Sequence, residues 1–480
     1  MMTRYARKVK QPTTLFRRCP NEGYCFKYGM QIHYHRPWTD RRDRMGTKKR
    51  IAIIATMALV ICAAMMVFAT QGSDAGTGEG TEDTGSITWI MVCSALVFIM
   101  SPGIAFFYGG MLRKQSMSSM ITQTLIAMGV MTVSWVVVGY SLSFSGDGTF
   151  IGDLEHMFLN GVTENAPSGI SEMEFAMFQG TFAMVTAAIV LGACAERIRY
   201  TAMIWFLAIW SVIVYAPMAH WVWGGGLFDQ YLTVLDYAGG TVVHICAGIT
   251  GIALVLFAGK RSDMVRNSRA HNIPLAFLGC ALLWFGWIGF NGGSGLSAGG
   301  EAVRVIMVTM TSAACGMIAW FAVQYYMVGR VGVLGMIAGS IAGLVGITPA
   351  AGYVGIPEAM IIGAVTGVLC FFAVRYTKGR EKLDDALDVF AVHGVGGIWG
   401  AIATGILANP DYAGGVAGLI YGSWDLFIGQ IVAVIITLAF CFAVSYCIIF
   451  VISKFMRVRV TEEEMLVGQD IIEHGENAYM

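Results

Sequence analysis

Charged side chains are scarce in this sequence. Asp, Glu, Lys and Arg make up 13% of the 480 residues, about half of the roughly 25% found in an ordinary soluble domain. Apolar residues make up 56%, too much for one water-soluble globule to hide. Net charge at neutral pH is zero and no basic stripe interleaved with aromatics occurs, so the electrostatic footprint of a nucleic-acid binder is missing. The cysteines show neither metal-ligand spacing nor a disulfide framework. Cys93, Cys194, Cys246, Cys280, Cys315, Cys370, Cys441 and Cys447 lie singly inside apolar runs, where a thiol behaves as a small hydrophobe. Neither a cofactor nor an enzymatic activity is expected.

What is present is a series of apolar runs of about 18 to 25 residues, the length that crosses a hydrocarbon core of about 30 Å. The expected fold is an all-α polytopic membrane protein seated in a lipid bilayer. Eleven spans are expected near 87–109, 118–144, 175–195, 200–220, 238–259, 273–292, 303–327, 331–348, 357–376, 389–408 and 426–453. Before them, residues 1–50 read as a disordered or mis-started leader, 45–70 as a signal peptide or extra helix, and 71–86 as a polar linker. Residues 87–455 form the membrane domain and 456–480 a tail. Basic residues gather in alternate loops, at Arg113, Arg197, Arg199, Lys260, Arg261, Arg330, Arg375, Lys378, Arg380 and Lys454. The positive-inside bias therefore predicts a mature N-terminus outside and a cytoplasmic tail. Glycine is enriched, which in a helical bundle predicts close helix contacts or broken helices.

Val243-His244-Ile245-Cys246-Ala247-Gly248-Ile249 resembles Val392-His393-Gly394-Val395-Gly396-Gly397-Ile398. The two segments fall in the fifth and tenth expected spans, which run in opposite directions, as in two inverted five-helix repeats followed by a final helix. His244 and His393 are the only histidines inside apolar runs. An ionisable side chain at membrane depth marks a functional site more often than a packing choice, and two imidazoles suit a proton relay or a lining for a small polar solute. Phe178 and Phe182, four apart, share a helix face, and Trp223 ends the next span in His220-Trp221-Val222-Trp223-Gly224-Gly225-Gly226. Such rings serve either as an interface belt or as a cage for a cation. Asp236 opens the fifth span as a helix cap, and its charge would also favour a cation above it.

The ordered motifs Pro102-Gly103-Ile104-Ala105-Phe106-Phe107-Tyr108-Gly109-Gly110, Ala195-Glu196-Arg197-Ile198-Arg199, Asp236 through His244, Gly286-Trp287-Ile288-Gly289-Phe290-Asn291-Gly292-Gly293-Ser294 and Asp388-Val389-Phe390-Ala391-Val392-His393-Gly394 resemble the ammonium transporter, methylammonium permease and Rhesus family. The resemblance runs from about residue 87 to the tail. It implies ammonium, ammonia or methylammonium as solute, in the plasma membrane. Phe182, Trp223 and Ser294 match the outer cation site, Phe182 and Phe290 the stacked gate, to which Phe178 is also assigned, and His244, His393 and Trp287 the pore. It also implies a homotrimer controlled on the cytoplasmic face by a PII-type signalling protein. Two alternatives remain: a bis-histidine membrane haem protein, and an ammonium sensor of the same fold. Beyond the last span, Thr461-Glu462-Glu463-Glu464 reads as a capping box. The tail is expected to pack on the cytoplasmic face, including the loop bearing Arg375, Lys378 and Arg380.

Overall fold

The computed structural model describes residues 83–166 and 169–479. The expected leader, the signal-like stretch and the linker up to residue 82 lie outside the described residues. Among the described residues ten helices are long and apolar enough to cross a membrane. They are α1 (Thr84–Met111), α2 (Lys114–Phe144), α3 (Glu172–Ala193), α4 (Tyr200–Tyr231), α5 (Gly240–Ala258) and α6 (Ile273–Gly292), then α7 (Gly300–Val328), α9 (Ile356–Lys378), α10 (Phe390–Leu407) and α11 (Asp425–Phe455). A shorter apolar helix, α8 (Val333–Ile347), completes the eleven. Among the described residues the only strand-like pairing is an isolated bridge between Ile198 and Arg459.

Local signals set the helix ends. Asp83 caps α1 by accepting from Ser86 N–H, and Ser171 with Glu174 forms a reciprocal capping box at the start of α3. The apolar helices are sorted by depth. α3 and α5 are buried over most of their surface, while α7, α9 and α11 turn most of theirs outward, as helices facing lipid must. Glycine sets the closest approaches. A Cβ on Gly279 of α6 would stand 2.2 Å from the backbone nitrogen of Phe107 in α1, and one on Gly248 of α5 would stand 2.5 Å from Gly394 in α10. The second contact brings the two repeat segments together at the centre of the bundle. Four spans carry π-turns, at Trp135–Gly139, Ser211–Tyr215, Gly240–Ile245 and Phe390–Gly394. The last two open α5 and α10 and hold the histidines.

One end of the bundle is basic and tightly paired. Arg261 meets Glu196 at 3.1 Å and Asp384 at 2.9 Å, and Arg113 meets Glu196 at 2.9 Å. Burial pushes the Asp384 carboxyl up, but the bonds and charge of Arg261 and the charge of Arg197 outweigh it and hold the group at about 2. The tail docks on this end. The Thr461–Glu464 capping box forms as expected and starts α12 (Glu462–Val467). Asp470 accepts from the N–H groups of Ser118 and Ser119 in the first turn of α2, and Glu473 meets Arg199 at 2.7 Å. The polar bonds of the tail thus run to the loops bearing Arg113 and Arg199 and to the loop bearing Lys260 and His271. Among the described residues none runs to Arg375, Lys378 or Arg380, so the expected docking loop is corrected. That loop is held elsewhere: Lys378 pairs with Asp388 at 2.7 Å, and its carbonyl accepts from Arg266.

Candidate functional site

The site is built where α5 and α10 begin. The first N–H groups of a helix lack partners and carry its positive dipole end. At α5 they are met by Asp236, whose carboxylate accepts from Gly239 at 2.8 Å, Gly240 at 2.7 Å, Thr241 at 2.7 Å and Val242 at 3.4 Å. Burial pushes the Asp236 carboxyl up against the pull of these four donors. At α10 the same task falls to Asp385, which accepts from Phe390 at 2.7 Å and Ala391 at 3.4 Å. Burial, then the neighbouring charge of Asp388, pushes its carboxyl up to about 7. Each cap precedes its π-turn, and each π-turn carries one histidine: Asp236 stands eight residues before His244, and Asp385 eight before His393. Sequence reading identified Asp236 but missed Asp385, although the equal offset from the repeat histidines was there to be found.

The histidines are in direct contact in the bundle. His244 Nδ1 and His393 Nδ1 lie 3.2 Å apart, with ring centroids 5.3 Å apart and planes inclined by 31°. One of the two nitrogens carries the hydrogen and the other accepts it. His244 is fully buried, and its Nε2 finds no hydrogen-bond partner among the described residues. Two rings cluster beside it with planes nearly parallel to its own, Trp287 with its centroid at 5.4 Å and Phe290 at 6.0 Å. Trp287 is itself anchored, donating from Nε1 to Thr348 Oγ1 at 3.0 Å. Contact this direct leaves no width for a porphyrin between the imidazoles, because bis-histidine ligation places an iron and its ring plane between the two nitrogens. The haem alternative fails on that geometry.

Above the histidines the predicted aromatics come together. Phe182 stacks on Phe290 with centroids 4.2 Å apart and planes at 27°. Phe178 backs Phe182 edge-on at 4.9 Å. Trp223 meets Phe182 at 6.1 Å with planes at 89°, and its Nε1 donates to the Asp236 backbone oxygen at 2.8 Å. Ser294, one turn beyond Phe290, donates to the Phe290 carbonyl at 2.8 Å. Asp236 differs in kind from the rest: its carboxylate is spent on backbone N–H groups, so its carbonyl and charge, rather than a free oxygen, serve the outer ring. Below, His393 borders a narrow apolar cavity of about 10 Å³ lined by Ile104, Phe107, Val185, Ile189 and Leu283, room for about one water-sized molecule. It also borders a wider cavity of about 280 Å³ that reaches Arg375, Lys378 and Asp388 at the basic end. Ring contacts thus link Trp223 through Phe182, Phe290 and His244 to His393, which borders both cavities.

The profile of the Ammonium Transporter Family matches residues 88–479. An ammonium transporter of Bacillus subtilis is 43% identical over 399 residues, covering 82% of this chain and 98% of that protein. Amt1 of Archaeoglobus fulgidus is 42% identical over 397 residues, covering 82% of this chain and 99% of that one. Among solved structures, Mep2 of Saccharomyces cerevisiae superposes with a TM-score of 0.73 at 36% identity, covering 82% of this chain and 97% of its own. A sensor Amt protein superposes at 0.76 with 28% identity, covering 82% and 98%. With a family profile spanning most of the chain and relatives above 40% identity along nearly their whole length, the chain belongs to the ammonium transporter family.

Proposed function

We propose that this ammonium transporter captures the cation at an outer aromatic site, releases its proton to water above the phenyl gate, and conducts ammonia along the histidine pair into the cytoplasm. The observation that carries the reading is the single file of Trp223, Phe182, Phe290, His244 and His393. The ring faces of Trp223 and Phe182 attract a desolvated cation by about 2 kcal/mol, and the lone pairs of the Ser294 hydroxyl accept an N–H. That attraction cannot carry the ion further. Moving a unit charge into a medium of low dielectric costs on the order of 20 kcal/mol by the Born estimate. Ammonia costs only a few kcal/mol, and the unpartnered His244 Nε2 offers it a hydrogen bond on the way. The stacked pair Phe182–Phe290 closes the file at rest and must part for each passage. Below His393 the molecule reaches the wider cavity and regains a proton from water there.

The Nδ1 contact between the histidines doubles as a proton path by exchange of donor and acceptor. Orientation follows from the basic residues and the docked tail at one end, which favour the cytoplasm for that end, while the plasma membrane belongs to this reading through the family. A homotrimer, and a PII-type partner on the same face, belong to this reading through the family. Transport and sensing are separated by flux. Purified protein in lipid vesicles should take up methylammonium saturably, with ammonium competing. Uptake equal to that of empty vesicles would favour the sensor.

A further inference from the structure

The outer end of α4 holds a histidine that this pathway does not use. His220 is fully buried, with Nδ1 3.0 Å from the Ser143 carbonyl oxygen and Nε2 against the Gly148 carbonyl oxygen. Ser143 lies in the last turn of α2, where carbonyls lack helical partners, and Gly148 lies in the outer loop that follows. Both acceptors are carbonyls, so each bond takes an N–H from the ring. The neutral ring supplies one and the doubly protonated ring supplies both. The backbone oxygen of His220 is equally engaged, accepting from Gly224 at 3.0 Å and Gly226 at 2.9 Å.

The glycines after Trp223 are folded over that ring. A Cβ on Gly224 would stand 2.8 Å from His220 Nδ1, and one on Gly226 would stand 2.6 Å from its Cδ2. The motif from His220 to Gly226 is therefore one unit: an imidazole core, a glycine turn wrapped on it, and Trp223 at the start of the turn. Trp221 and Gln230 clamp the same outer loop by donating to the carbonyls of Phe150 and Asp147. We infer that His220 is a positioning residue for cation capture, locking the Gly224–Gly226 turn to the end of α2 and the outer loop and so fixing the face that Trp223 presents. The inference rests on the reading that Trp223 forms the capture site.

The test compares methylammonium uptake into vesicles for wild type, His220→Ala, Trp223→Leu and the double variant, at matched amounts of inserted protein. His220→Ala should raise the half-saturation concentration about five- to tenfold, the orientation-dependent part of the cation–ring attraction, with the maximal rate changed by less than about twofold. The double variant should match Trp223→Leu alone, because a ring that is absent cannot be positioned. An unchanged half-saturation in His220→Ala, a loss confined to maximal rate, or effects that multiply in the double variant would each overturn the inference while leaving the Trp223 site standing. A wild-type half-saturation in Trp223→Leu would remove the capture site itself and the role of His220 with it. Should His220→Ala fail to insert, His220→Asn keeps one N–H toward Ser143. It should show a smaller rise, and no rise would overturn the inference equally.

Discussion

In the proposed pathway single side chains carry the selectivity, and their burden can be estimated. Trp223 offers the strongest cation-attracting ring at the mouth and is held by one bond to the Asp236 carbonyl. Trp223→Leu should raise the half-saturation concentration for methylammonium about thirtyfold, the equivalent of about 2 kcal/mol, with insertion and thermal stability near wild type. Uptake at low concentration that matches wild type would contradict the assignment. Most of these residues were legible in the sequence because each broke a local rule: two histidines in apolar runs, two phenylalanines on one face, a tryptophan before three glycines. Asp385 was not, since a carboxylate at a loop end looks ordinary until its hydrogen bonds to Phe390 and Ala391 are seen. Thr348 was invisible for the same reason, being the partner of Trp287 across 61 residues.

At the level of elements, the decisive devices are the capped π-turns and the buried ion network at the basic end. A carboxyl whose folded value lies above its unfolded one binds its proton more tightly in the folded chain. The contribution of Asp385 to stability is therefore greatest below the unfolded value of about 4 and fades as pH rises through about 7. Asp385→Asn keeps an oxygen for the Phe390 N–H and removes the charge. Its melting temperature relative to wild type should climb between about pH 5 and about pH 8, and a constant difference across that range would contradict the account. Asp384 has the opposite sign. Its carboxyl is held at about 2, so its stabilisation is present above the unfolded value and is lost as pH falls through about 2. Arg261→Met strips a partner from both Asp384 and Glu196 and should cost about 3–5 kcal/mol near neutrality, measured by denaturation in detergent. Sequence periodicity found the spans, including the short α8, because apolar length survives any tertiary context. The π-turns escaped it, for one extra residue in a helical turn leaves no compositional mark.

Over the whole molecule, the tail ties the loop between α1 and α2 to the loop between α3 and α4 at the basic end. Asp470 caps α2, Glu473 pairs with Arg199 before α4, and the Met465 carbonyl accepts from Arg113, which in turn holds Glu196. The capping box that begins this tail was readable from Thr461 and Glu464, while its docking surface was not, because it is set by helix ends distant in sequence. Deleting residues after Thr461 uncaps the start of α2 and should lower flux at matched membrane abundance; full flux would make the tail a passive end. The central claim, that ammonia crosses the bundle on the histidine pair, is tested most directly by His244→Ala and His393→Ala in lipid vesicles, with uptake, ion selectivity and charge movement recorded together. The account predicts that each single variant either stops conducting or admits hydrated cations. Wild-type flux, selectivity and charge movement in both variants would contradict it.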